Sequence, residues 1–187
     1  IKKTNPVVVD EVTTGDHRFS YGEIEAVLKN LLEEQVSIRN MVVILETLGD
    51  YGKLTRDPWT LTEKVREALG AQICQQYADE NKVLHVLNLS QSLAQKILDH
   101  RADMPGKGPI VAFDPVDARN YISTMSNAVA AVRERNYLPI ILCPSEVRRL
   151  VKSSTELEMP GIIVMSINEV MAASPNIKVE SLGEING

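Results

Sequence analysis

FSYGEIEAVLKNLLEEQVSIRNMVVILETLGDYGKLTRDPWTLTEKVR, running from Phe19 to Arg66, reads as a succession of short helices with legible starts. Ser20 precedes Glu23 by three residues, the spacing of a capping box: the Ser20 hydroxyl accepts from the Glu23 amide and the Glu23 carboxylate accepts from the Ser20 amide. Phe19 before the cap and Ile24 at the fourth helical position have hydrophobic-staple spacing. Ile24, Val27, Leu28, Leu31 and Leu32 recur on one face, while Glu25, Lys29, Glu33 and Glu34 lie mostly on the other. Ser37 stands where it can cap a second helix carrying Ile38, Met41, Val42, Leu45 and Leu48, closed by Gly49 at C′. A third begins either at Asp57, with Pro58 as first helical residue, or at Thr60, with Glu63 as box partner. Leu61, Val65, Leu69 and Ile73 give it a buried stripe. The stretch predicts a compact helical subdomain.

Downstream, Val83–Leu89 (VLHVLNL) is β-rich and apolar on both faces, as in a strand buried on both sides. Ser90 can cap a short helix carrying Leu93, Ile97 and Leu98. The run from Arg101 to Gly108 (RADMPGKG) contains breakers and no periodicity, and reads as the main boundary of the chain. Beyond it, strands and helices alternate. Ile110–Phe113 is a strand, and Asp114 caps a long helix opened by Pro115, with Ile122, Met125, Val129 and Val132 inward. Leu138–Cys143 is a second strand, followed by Pro144 and a helix through Val147, Leu150 and Val151. Ile162–Ile167 is a third, followed by a short helix capped by Asn168. Ile177–Gly183 is a fourth, alternating and hence an edge strand. The predicted fold class is α+β or α/β: a helical subdomain followed by a small α/β subdomain with a largely parallel four-stranded sheet.

Composition narrows the function. At 187 residues the chain makes one large or two small domains, and its 44% hydrophobic residues with only 4% aromatics describe an aliphatic core. A net charge of −5 without a Lys/Arg run argues against binding a nucleic-acid backbone. No apolar run approaches the roughly 18 residues of a membrane span, and no signal peptide opens the chain. Cys74 and Cys143 lie in unrelated contexts and read as structural thiols of a reduced, cytosolic compartment. Ile1-Lys2-Lys3 opens without an initiator Met, and residues 1–18 form no complete amphipathic unit, so the chain reads as a segment of a longer protein.

Catalytic signatures do not assemble. Pro105-Gly106-Lys107-Gly108 lacks the Ser/Thr after Lys and leads into a strand, whereas a phosphate loop opens a helix. His17, His85 and His100 have no partner at metal-ligand spacing. Asp114 with Asp117 suits a cap plus first-turn charge better than an acid/base pair. Neither cysteine has a His partner within its motif, and Ser153, Ser154 and Thr155 fall in the last turn of a helix. The expectation is a non-enzyme with no catalytic, cofactor-binding or metal-binding residues.

The segment from Glu23 to Arg66 resembles the signature of the export gate family of flagellar and virulence type III secretion, the FlhA-like proteins. That signature runs from a capped helix into NLL-x-E-x-VSIR, then ILE-x-L, then DP-x-x-LTE-x-VR. Here these are Asn30-Leu31-Leu32, Glu34, Val36-Ser37-Ile38-Arg39, Ile44-Leu45-Glu46, Leu48, Asp57-Pro58, Leu61-Thr62-Glu63 and Val65-Arg66. The likeness continues through Ile73–Leu87, Glu146–Glu156 with the following MPGIIVMS, and Ile177–Ile185. Asp50-Tyr51 and Thr55-Arg56-Asp57-Pro58 are similar to the flagellar branch, whereas Asn40 after VSIR is more like the injectisome branch.

The resemblance implies a transport component: the cytoplasmic part of an inner-membrane export gate, forming a nine-copy ring where chaperone–substrate complexes and other export-apparatus proteins dock. Residues 1–35 would be the remnant of preceding cytoplasmic subdomains including one capped helix, 36–104 a helical subdomain and 105–187 an α/β subdomain. Phe19, Ser20, Tyr21 and Gly22 would line the chaperone groove, and Arg39, Glu46 and Arg56 would be available for ring contacts. No nucleic acid and no membrane contact are implied for the segment itself. The injectisome homologue is the alternative within this class. The alternative of another class is a small α/β nucleotide-binding or enzymatic domain, suggested by the alternation over residues 109–183 and lacking the glycine fingerprint.

Overall fold

The computed structural model describes residues 4–15 and 18–187; Ile1-Lys2-Lys3 and His17 lie outside the described residues. The chain divides into two compact units, residues 1–73 and 74–187.

The first unit contains α1 (Pro6–Thr13), α2 (Tyr21–Glu33), α3 (Met41–Tyr51) and α4 (Pro58–Ala68). α2 packs on α4, and α3 packs on both α1 and α4. The capping box at Ser20 is formed as read. Ile24, Val27 and Leu31 are buried, whereas Leu32 is half exposed, because it stands about 100° around the helix from Leu31. Between α2 and α4, the Asn30 amide donates to the Thr62 hydroxyl at 3.1 Å, and Arg66 lies 3.8 Å from Glu34 with almost no solvent access.

Three local expectations in this unit need correction. Ser37 does not cap α3. Its hydroxyl accepts from the Arg39 amide at 3.2 Å and its carbonyl accepts from the Gln72 side chain at 3.1 Å, so the helix waits until Met41. Gly49 does not end α3, which runs on to Tyr51 with Gly52 as C-cap; a Cβ on Gly49 would sit 3.5 Å from Val12 Cγ2. The third helix starts at Asp57, whose carboxylate accepts from both the amide and the hydroxyl of Thr60 and so occupies the alternative cap. Its stripe is buried through Ile73, but the helix breaks at Leu69 and α5 (Gly70–Tyr77) begins anew.

The second unit is built on a four-stranded sheet from β1 (Val83–Leu89), β4 (Ile140–Cys143), β5 (Ile163–Ser166) and β6 (Lys178–Ile185). The order is β5-β4-β1-β6 and every neighbouring pair is parallel. The other elements are α6 (Gln91–Asp99), β2 (Arg101–Met104), β3 (Gly108–Val111), α7 (Pro115–Glu134), α8 (Ser145–Thr155) and α9 (Ile167–Ala173). The parallel sheet is as expected, but its membership is not. β1 supplies a central strand, while the Ile110 strand leaves the sheet to pair antiparallel with β2. The Arg101–Gly108 run is therefore a hairpin inside the second unit, and the boundary between compact units falls after Ile73. Gly106 (φ +78°) and Gly108 (φ +77°) supply the left-handed positions of its turn. A breaker cluster marks a turn and a linker with the same residues, and only the pairing partners separate them.

β6 takes the edge, as its alternation predicts. It slips register opposite Val86/Leu87, where Gly183 (φ +152°) accommodates a bulge and Leu182 packs against the core. That core gathers Leu87, Ile97, Met125, Ile141, Leu150 and Val164. Two buried cations in α8 fasten the neighbouring strand. Arg148 donates to the Val164 carbonyl at 3.1 Å and Lys152 to the Ile162 carbonyl at 2.8 Å. Arg148 also lies 3.8 Å from the buried Glu169. The cap of α9 is Ser166 rather than Asn168, since Ser166 and Glu169 form a second capping box.

Trypsin should nick the exposed hairpin tip after Lys107 without separating the halves, because β1 and β4 are neighbours in one sheet. The two fragments should co-elute in native gel filtration; release of a folded 108–187 piece would contradict this division.

Candidate functional site

The lead-in to α2 is where the expected docking residues meet. Ser20 leaves the extended region at φ −71°, ψ 157° and begins the helix. Phe19 is only 3% exposed and its amide donates to the Val12 carbonyl at 2.8 Å. Its ring occupies the space above Gly52: a Cβ built there would lie 2.3 Å from Phe19 Cε2. The Arg56 guanidinium covers the ring at 4.1 Å from its centroid. Arg56 also reaches Glu23 Oε2 at 3.5 Å, while Glu23 Oε1 accepts from the Ser20 amide at 3.0 Å. That amide hydrogen bond above all, helped by the Ser20 hydroxyl and the Arg56 charge, holds the Glu23 carboxyl below the usual carboxylate range against the opposing effect of burial.

Tyr21 points the other way and is 75% exposed. Beside it lies a groove of about 330 Å³. Ala26, Pro58 and Leu61 make it largely apolar, Ser20 and Gly22 line its helix-start side, and Glu23 with Arg56 add a paired charge. The structure thus brings Ser20, Gly22 and Arg56 together, puts Phe19 beneath Arg56 and leaves Tyr21 at the surface. Arg39 and Glu46 are exposed and do not line the groove. Sequence reasoning missed Gly52, whose partner is 33 positions away and leaves no local signal. It also missed Arg148 and Lys152, whose burial ordinary surface statistics oppose.

Several titratable residues elsewhere have structural partners. Asp114 accepts from the amides of Asp117 and Val116, which hold its carboxyl below the ordinary range. Asp117 lies 3.4 Å from Lys96. His85 contacts Asp79 at 3.0 Å and stacks near Tyr137; His100 contacts the Lys96 carbonyl and the Phe113 ring. Cys74 and Cys143 are buried, their thiols 3.8 Å from the carbonyls of Glu169 and Met165 respectively. Among the described residues no cluster of three His, Cys, Asp or Glu is placed to hold a metal, and no helix is long and apolar enough to cross a membrane.

Ser20→Ala should destabilise the first unit by about 1 kcal/mol in urea or thermal unfolding, the usual cost of an N-cap. Because the Glu23 pKa is lowered by folding, its contribution is present above the ordinary carboxylate range and lost as pH falls through the depressed value. Glu23→Gln should therefore flatten that part of the acid limb; an unchanged limb would show that the box is energetically silent.

The chain matches the FHIPEP family over residues 1–174. It is 38% identical to the flagellar biosynthesis protein FlhA of Bacillus subtilis over 186 residues, which is 100% of this chain and 27% of that protein. The Chlamydia pneumoniae CdsV protein shares the fold with a TM-score of 0.85 and 27% identity over 99% of this chain and 51% of that one. The nonameric EscV cytosolic domain from a type III secretion system matches with a TM-score of 0.82 and 25% identity, over 100% of this chain and 53% of that one. The chain spans about a quarter of the length of the flagellar relative.

Proposed function

The chain belongs to the FHIPEP family, that of the flagellar and type III secretion export gate proteins, and from that premise we propose that it acts as part of a cytoplasmic docking platform for chaperone–substrate complexes. On this reading the parent protein sits in the bacterial inner membrane, with this segment on the cytoplasmic side. It works as a ring of copies, by analogy with the nonameric EscV domain, and performs no chemical transformation. Export chaperones with their cargo, and other proteins of the apparatus, are its partners.

The observation that carries the docking part is the start of α2. A large amphipathic ring, Tyr21, is held three-quarters exposed on a rigid helix cap beside a mostly apolar groove. Aromatic anchors of this kind dominate protein–protein binding energy. A rigid support also limits the ordering cost on association. In this arrangement Tyr21 contacts the chaperone–substrate complex, Ser20 and Gly22 shape the groove, and buried Phe19 holds the lead-in in place. Arg39 and Glu46, exposed and outside the groove, are available for contacts between copies in the ring. Arg56 is engaged within its own unit by Phe19 and Glu23.

Tyr21→Ala, made in the complete cytoplasmic part of the parent protein, should weaken chaperone–substrate binding by about 1–3 kcal/mol in calorimetry while leaving the circular dichroism unchanged. Gly22→Ala separates binding from stability. The new Cβ would meet only Ser20 Oγ, at 3.8 Å, so the helix should gain up to about 0.5 kcal/mol while the groove narrows and binding falls. Normal binding by both variants would remove the α2 start from the docking surface.

A further inference from the structure

We infer that Gly52 and Arg56, in the loop between α3 and α4, are positioning residues for the Tyr21 contact; the inference rests on the docking reading above. The contacts form a closed circuit. Phe19 lies on Gly52, Arg56 lies on Phe19, Arg56 pairs with Glu23, and Glu23 holds the Ser20 amide next to Phe19. Every member fixes the same dipeptide step from Phe19 to Ser20, and the next residue is Tyr21.

Gly52 is required by space rather than by backbone conformation. Its φ is −64°, an ordinary right-handed value. Any Cβ would come within 2.5 Å of two Phe19 ring atoms and 2.8 Å of the Leu48 carbonyl oxygen. The ring is 3% exposed and has little room to yield, and the Arg56 guanidinium lies over its face. A methyl at position 52 therefore pushes on Phe19 and moves the backbone that presents Tyr21. Arg56 acts from the other direction, pressing the ring down and bracing the capping box through Glu23. The α3–α4 loop thereby sets the docking residue without touching the partner through Gly52.

The test compares four variants of the complete cytoplasmic part of the parent protein, with a purified export chaperone–substrate complex as the probe. Gly52→Ala should weaken binding about tenfold, the loss expected when one anchor is misplaced, and should speed amide exchange at Ser20–Glu23. Adding Phe19→Leu to Gly52→Ala removes the colliding ring atoms and should recover a large part of that loss. Arg56→Ala introduces no steric clash, but Arg56 also lines the groove. It therefore serves if Gly52→Ala fails to fold only when a loss of about threefold in binding comes with faster amide exchange at Ser20–Glu23 in the unbound protein, which a lost direct contact would not cause. If Tyr21→Ala weakens binding while folded Gly52→Ala and Arg56→Ala bind normally, the positioning role is overturned and the docking reading stands. If Tyr21→Ala also binds normally, both are overturned. Equal loss in Gly52→Ala with and without Phe19→Leu would likewise sink the inference, since the ring would not be the element transmitting the change.

Discussion

The close approach of the Phe19 ring to the bare Cα of Gly52 is the constraint on which the first unit's surface depends. It ties the segment before α2 to the end of α3, although 33 positions separate the two residues. Around it, weak interactions reinforce one another. An exposed Arg–Glu pair alone contributes little, and a half-exposed cation over an aromatic ring contributes about 0.5–1 kcal/mol. Arg56 makes both at once while Glu23 completes the capping box. The result is a braced helix start, and the docking role proposed for Tyr21 rests on it.

In the second unit the comparable constraint is the fixing of β5 by buried cations from α8. Arg148 donates to the Val164 carbonyl within β5 and Lys152 to the Ile162 carbonyl just before it, and Arg148 lies against Glu169, which also closes the cap of α9. Removing one partner from a buried ion pair typically costs about 3–5 kcal/mol, because the other charge is left without compensation. The arrangement joins helix, strand and following helix through a few polar contacts, and leaves the aliphatic side chains of the sheet to make the core.

How much of this was legible in the sequence depended on whether the deciding interaction was local. The caps at Ser20, Ser90 and Asp114 were readable because donor and acceptor lie within three residues. The parallel sheet and the edge position of β6 followed from alternation. Ser37 misled because its hydroxyl found a nearer amide, and Ser166 was overlooked although its spacing to Glu169 is the same as that of Ser20 to Glu23. The hairpin at Arg101–Gly108 passed for a boundary because its glycines mark a turn without naming what pairs across it. At the candidate site, the residues at the helix start were visible from their motif, while the seat under Phe19 and the groove walls from Pro58 and Leu61 arise only when α2 and α4 come together.

The chain belongs to the FHIPEP family, and the task proposed for its α2 start is recognition. The most direct measurement is site-specific photo-crosslinking in the full-length protein, with a benzophenone side chain at position 21 and, as control, at Leu157, which is 91% exposed in the second unit. The account predicts a covalent adduct with an export chaperone or its cargo from position 21 and little or none from position 157. No adduct from position 21, or equal yields from both, would contradict it.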